Sequence, residues 1–413
     1  MSDRPRQKIS KFYFSVVCSL FWLILSFPTY AQSNNEDDPT VFPPDPLEFR
    51  TLDPMLPQSA RDKKPLTEEE KTQLQQSLNE LNQQATELFQ AGDKVTAFAV
   101  WYRELRLTRV LGLLPEVEAL TRIGAIVWQE NSREDIKFIT KRLQAIQTEA
   151  TAKPIVELDL WRALATAYEQ VRAPDKAVVA YEQILRAARE QKNTEEIAAA
   201  LTKIGDLSLS WFDYQKAAVT YNELLNLAKE QNNSEQQITY LKQLAYIYAQ
   251  LKQPLQIIST KQQLIELYQN LQNFTEIPEL KLAIGSQLES LGQIEEAAQQ
   301  YEETYSFAWS IQQYSGAADA LRKLVALQLS LKRIDAALET SQVLLQTDQL
   351  GHNFYGMMNT YDQIAKLYLE QKNYSQALVA FERGLEIAKQ LSYREPYFTR
   401  QIQEVNKQIS RQS

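Results

Sequence analysis

Apolar residues in this chain return on one helical face at a time. Across residues 158–193, Trp161, Leu164, Ala165 and Tyr168 fall at i, i+3, i+4 and i+7, the spacing of a single helix face. A break comes at Ala173-Pro174-Asp175, because proline cannot continue a helical ladder but starts a new helix well. A second face then reads Ala177, Tyr181, Ile184 and Leu185. The same grammar returns about every forty positions. One column of mostly small residues runs Ala85, Gly124, Ala165, Gly205, Ala245, Gly285, Val325, Ala365. A second, twelve residues further on, runs Ala97, Ile136, Ala177, Ala217, Ile257, Ala297, Ala337, Ala377. A fixed period of this length predicts a stack of helical hairpins, each burying its apolar face against its neighbours. Small residues in both columns mark the closest approach of the two helices in each hairpin.

The pattern also predicts the ends of the array. Thr67 with Glu70 three residues later is a capping box that opens the first helix. A joint column, Asn193, Asn233, Asn273, Gln313 and Asn353, suits the left-handed conformation that ends helices. Thr194, Ser234 and Thr275 are then placed to cap the next helices. Capping accounts for Asn273-Phe274-Thr275 better than glycosylation does. After Pro396, the residues Phe398, Ile402, Val405 and Ile409 form the apolar stripe of a terminal capping helix.

These residues carry a family resemblance. Trp161-x2-Leu164-Ala165-x2-Tyr168 with Ala177, Tyr181 and Ile184 resembles the tetratricopeptide repeat, as do Tyr361, Ile364, Ala365, Tyr368, Ala377 and Phe381. The resemblance implies an all-α fold: a right-handed α-α superhelix of about eight hairpins with a C-terminal capping helix. The usual unit has 34 residues, so units near forty imply about one extra turn per helix. Thr140, Lys261 and Ser341 replace the aromatic of the second helix in units two, five and seven, which predicts weaker or register-shifted hairpins there.

The N-terminal residues have another pattern. Arg4, Arg6, Lys8 and Lys11 precede the apolar run Phe12 to Phe27 and then Pro28-Thr29-Tyr30-Ala31. Residues 1–31 therefore read as a cleavable signal peptide, with anchoring by residues 12–27 as the alternative. The expected location is the periplasm or another extracytoplasmic space. Residues 32–65, acidic and Pro-rich, read as an extended linker. It is either a tether or a clip docked through Phe42, Leu47, Phe49 and Leu56, and the composition favours the tether. Residues 66–395 form the array and 396–413 the cap.

Composition narrows the function. Of 413 residues, 44 are basic and 52 acidic. Without residues 1–31 the balance is 40 against 51, near −11, a poor match for nucleic acid. Cys18 is the only cysteine and His352 the only histidine, so neither a thiolate metal site nor a His-based triad can be assembled. No Gly-rich phosphate loop occurs. We expect no enzyme, cofactor or metal.

In the family, first-helix residues beside the small column line a concave groove that contacts an extended peptide. Carried over, the candidate groove residues are Arg122, Arg162, Lys203, Lys242, Tyr246, Arg322, Lys323 and Lys366. A lining of this kind suits an acidic or C-terminal protein segment, extended or helical. Asp159–Arg162 and Asp319–Arg322 read equally well as i, i+3 pairs on a solvated helix. The expected function is a protein-binding scaffold or assembly factor in the bacterial envelope. Alternatives are an oligomerising envelope protein without a groove ligand, or a periplasmic factor in the biogenesis of a membrane complex such as photosystem II.

Overall fold

The computed structural model describes residues 45–48, 52–153 and 157–412. The expected signal peptide and most of the acidic stretch after it lie outside these residues. The chain divides after Asp45 into two units. Asp45 is the only described residue of the first, and the second, residues 46–413, carries the whole array.

Among the described residues there are helices and no strands. A short helix, α1 (Gln58–Arg61), precedes eight hairpins. These are α2 (Glu68–Gln90) with α3 (Lys94–Thr108), and α4 (Leu113–Gln129) with α5 (Arg133–Ala152). Next come α6 (Leu158–Gln170) with α7 (Pro174–Glu190), and α8 (Thr194–Ser210) with α9 (Tyr214–Glu230). The fifth and sixth are α10 (Ser234–Gln250) with α11 (Pro254–Asn270), and α12 (Ile277–Ser290) with α13 (Ile294–Ser310). The last two are α14 (Tyr314–Ser330) with α15 (Ile334–Leu350), and α16 (Phe354–Glu370) with α17 (Tyr374–Gln390). A final helix, α18 (Glu395–Gln412), closes the all-α superhelix. None of these helices is long and apolar enough to cross a membrane.

At two glycines of the small column an aromatic ring lies over the position. A Cβ on Gly285 would come within 2.5 Å of the Tyr301 ring, and one on Gly205 within 2.9 Å of Tyr221. Each ring is sixteen residues downstream, on the second helix of the same hairpin. At that offset Val325 is paired with Ser341, so a larger first member meets a smaller second one; both are buried. Compensation of this kind keeps core volume nearly constant. Two of the three hairpins expected to be weak are regular in length, α11 and α15 having 17 residues like most of their counterparts, whereas α5 of the second hairpin has 20.

The joints correct the expected capping register. The left-handed residue comes one position earlier than the Asn column and recurs every twenty residues, from Arg172, Lys192 and Phe212 through to Lys372 and Ser392, with Gly292 among them. At the first of these joints Ala173 N–H donates to the Tyr168 carbonyl at 2.9 Å and Arg172 N–H to that of Glu169 at 3.2 Å, which is a Schellman closure. Joints within and between hairpins share this geometry. Asn193, Asn233 and Asn353 are extended or nearly so and act as N-caps, accepting from the backbone N–H of Glu196, Gln236 and Gly356. Thr194 and Ser234 are the first helical residues, not caps. At Asn273-Phe274-Thr275 capping fails altogether: α12 begins only at Ile277, behind Glu276.

The Pro-rich stretch is also corrected. At its described residues, 46–48 and 52 onward, it is a strap on the first hairpin rather than a free tether. Leu47 and Leu56 are buried, Leu56 against Leu74, Leu78, Leu81 and Leu107. Arg103 holds Asp53 through two hydrogen bonds of 2.7 and 2.9 Å, and Arg106 donates to the Pro46 carbonyl. Composition argued against regular structure here, yet Gln58–Arg61 form α1, and two leucines with two receptive arginines on α3 suffice to seat the chain before it. Phe42 and Phe49 lie outside the described residues.

Candidate protein-binding face

Charged side chains lace successive hairpins together on two faces. On the face made by first helices, Arg162 of α6 reaches Glu196 of α8, and Lys203 of α8 reaches back to Glu169 of α6 at 3.1 Å. On the face made by second helices, Lys216 of α9 meets Glu182 of α7 at 2.5 Å, and Arg189 of α7 meets Glu223 of α9 at 2.5 Å. All four pairs are separated by 34 residues, one repeat less six. Pairs this exposed contribute little singly, about 0–1 kcal/mol.

This lattice absorbs most of the basic lining. Arg122 bonds Asn82 of α2 and Glu104 of α3. Arg162 also pairs with Asp159, at 3.0 Å. Arg322 meets Asp319 at 2.7 Å and also reaches Asp348 of α15. Lys366 meets Asp362 at 3.0 Å and lies over the Tyr397 ring. Two of the candidate cations, Lys242 and Lys323, are exposed and form no ion pair among the described residues. Tyr246, on the same helix face as Lys242, is 51% exposed, and its ring makes an edge contact with Tyr214, itself beside Phe212. Phe212 and Trp211, at the joint between α8 and α9, are still more exposed. The residues expected from the sequence all lie on first helices and split into an internally paired set and one without ion pairs.

Four carboxylates are buried among the described residues. Glu116 is held by Arg109 at 3.0 Å and by Arg142 at 2.6 and 2.7 Å. Asp362 is saturated: Tyr397 donates to Oδ1 at 2.7 Å, while Lys366 and Arg394 reach Oδ2 at 3.0 and 3.3 Å. Asp348 takes Arg322 and Asn353 on Oδ1 and leaves Oδ2 without a partner. A Cβ on Gly356 would lie 2.7 Å from that oxygen, so no space opens beside it. Glu104, 5% exposed, takes Arg122 on Oε1 at 2.5 Å and has no partner on Oε2. Burial pushes the Glu104 and Asp348 carboxyls above the usual carboxylate range, against the pull of Arg122 and Arg322. The 34-residue offset between opposite charges was visible in the sequence and would have found Glu196 and Glu169. Nothing in the apolar pattern marks Glu104, which interrupts the buried face of α3.

His352, the only histidine, occupies a left-handed joint and is exposed. No group of three or more metal-ligating residues occurs among the described residues.

Residues 359–391, which span most of the α16–α17 hairpin, match the model of the tetratricopeptide repeat. No curated protein sequence matches the chain. Among solved structures, BtubC (BKLC) from P. vanneervenii is similar at 16% identity and a TM-score of 0.35, over 53% of this chain and 92% of that one. A signal transduction ATPase with a tetratricopeptide repeat sensor from Pyrococcus horikoshii is similar at 13% identity and a TM-score of 0.36, over 80% of this chain and 50% of that one. YrrB, described as a TPR protein with an unusual peptide-binding site, shows 18% identity and a TM-score of 0.28, over 50% of this chain and 92% of that one. One hairpin is thus matched by the model of the tetratricopeptide repeat, and the other hairpins are built on the same two columns.

Proposed function

We propose that this protein is a non-enzymatic scaffold that holds a segment of a partner protein along its first-helix face. The observation that carries this reading is the unpaired set on that face. Lys242, Lys323 and the exposed Tyr246 stand where the neighbouring cations are committed to pairs within the array. An acidic segment lying across α10 and α14 would meet two uncommitted ammonium groups and an aromatic surface. Stacked hairpins hold these groups in place before binding, which lowers the ordering cost of capture. The location proposed is extracytoplasmic, on the strength of the basic leader and apolar run at residues 1–31. A role in assembling a membrane complex fits that location.

Affinity capture from an envelope extract tests the reading. Lys242→Glu with Lys323→Glu should abolish recovery of the wild-type partners. Lys229→Glu with Lys389→Glu, on second helices, should leave it intact. Equal recovery with both double variants would overturn the assignment of the face. A stable homo-oligomer that hides Lys242 and Tyr246, seen by light scattering, would favour an architectural role instead.

A further inference from the structure

A cavity of about 310 Å³ opens on the first-helix face at the N-terminal end of the array. Its walls come from α2 and α4 and its floor from α3, with Asn79, Asn82, Glu104, Thr108, Glu118 and Arg122 among its lining. Its volume is at the low end of small-ligand sites, about 300–1,000 Å³, and suits one side chain rather than a folded element. Two carboxylates, Glu104 and Glu118, face a single guanidinium, Arg122, so the lining carries a net negative charge. The Glu104 carboxylate is buried and has hydrogen-bond capacity unused on Oε2. Oε2 itself is closed to solvent, so the carboxylate acts on the cavity as a buried, half-matched charge, and a cation seated beside it offsets that cost.

The same chain shows what completes such a site. Asp362 belongs to a first helix near the other end of the array. There the joint before α18 supplies Arg394, and α18 itself supplies Tyr397, so that both carboxylate oxygens are satisfied. Arg394 also stacks on the Tyr397 ring, its guanidinium carbon 4.3 Å from the centroid. At the N-terminal end the strap packs on α2 and α3 and brings acceptors, Asp53 and the Pro46 carbonyl, to Arg103 and Arg106. It brings no donor to Oε2 of Glu104.

We infer that this cavity receives a cationic side chain, an arginine or lysine of the bound partner, with Glu104 as its counter-charge. The inference rests on the reading of the first-helix face as the partner-binding face. It gives the bound segment a direction: a basic residue at α2–α4 and acidic residues toward α10 and α14.

The test needs no partner, so its failure is distinguishable from failure of the face assignment. N-acetyl-L-arginine amide is titrated into the full chain at millimolar concentration and monitored by ligand-observed NMR, with N-acetyl-L-glutamate amide as the opposite-charge probe. Saturable binding of the arginine compound is expected. Glu104→Gln should weaken it about tenfold, the scale of a hydrogen bond to a charged group. Asn79→Leu keeps Glu104 but fills the wall on an exposed position of α2, and it should weaken binding without altering the fold. No saturable binding by the folded wild type would overturn the inference. So would undiminished binding by both variants, or preference for the glutamate compound, which would make Arg122 the recognising group.

Discussion

At the C-terminal end of the array, the buried carboxylate of Asp362 is met by a tyrosine hydroxyl, a guanidinium and an ammonium, the first two contributed by the closing helix and the joint before it. At the N-terminal end, the buried carboxylate of Glu104 has one partner and borders a cavity. Both ends are closed against water by added chain: α18 packs Phe398 under Gly384, and the strap buries Leu47 and Leu56. Terminal hairpins of a solenoid need such closure because they have no outer neighbour. The ends differ in which charges the closure satisfies. The strap brings acceptors to the cations of α3, whereas α18 and its joint bring donors to a carboxylate on the first-helix face. One end of that face is thereby filled by the chain itself, and the other keeps an open cavity.

The contrast can be broken by substitution. The largest effect is expected from Phe398→Ala, which empties a fully buried ring site next to Gly384. It should cost about 3–5 kcal/mol in urea unfolding, with α16–α18 losing hydrogen-exchange protection first. Leu47→Ala should cost about 2–4 kcal/mol and make the chain between residues 46 and 61 sensitive to protease while α6–α18 stay protected. Tyr397→Phe removes one donor to a buried carboxylate and should cost about 1.5–3 kcal/mol by the same unfolding assay. If it costs nothing, Asp362 is not dependent on the closing helix and the contrast between the ends weakens.

The smallest effect is on pH dependence. The hydrogen bonds from Arg103 hold the Asp53 carboxyl below its ordinary value of 3.8, against the opposing effect of burial. A lowered value in the folded state means that the contribution is fully present above the ordinary value and disappears as pH falls through the lowered one. Hydrogen exchange over residues 53–61 should therefore speed up, relative to the intrinsic rate, between about pH 5 and pH 3. In Arg103→Met this acid-dependent change should shrink, because the largest interaction that favours the charged form of Asp53 is gone and only the Met55 N–H and the charge of Arg106 remain.

The fold was legible because hairpin stacking is dictated by apolar spacing. Trp161, Leu164, Ala165 and Tyr168 are all buried, and the two columns place every hairpin. The joints were misread by one position because the left-handed residue is chosen by chain geometry. Lys, Arg, Gln and even Phe212 occupy it, so side-chain preference for that conformation gave no signal. The strap was named from the sequence, through Leu47 and Leu56, but composition favoured a tether; a few buried leucines and two arginine contacts can seat a segment whose composition looks unstructured. The candidate face was half legible. Its cations and the local partners Asp159 and Asp319 were found from the register, but the remaining partners include residues 34 positions away and, like Glu104, residues on a second helix. Most of the carboxylates that cancel this charge lie on first helices too, Asp159, Glu169, Glu196, Asp319 and Asp362, while Glu104 and Asp348 come from second helices.

That a partner lies along the first-helix face is tested most directly by site-specific photo-crosslinking. A benzophenone amino acid would replace Tyr246, exposed on α10, or Val219, which is 71% exposed on α9. Both positions tolerate substitution because neither side chain belongs to the core. A partner adduct is predicted from position 246, lost on Lys242→Glu, and none from position 219. Adducts from position 219 alone, or equal adducts from both, would contradict a first-helix binding face.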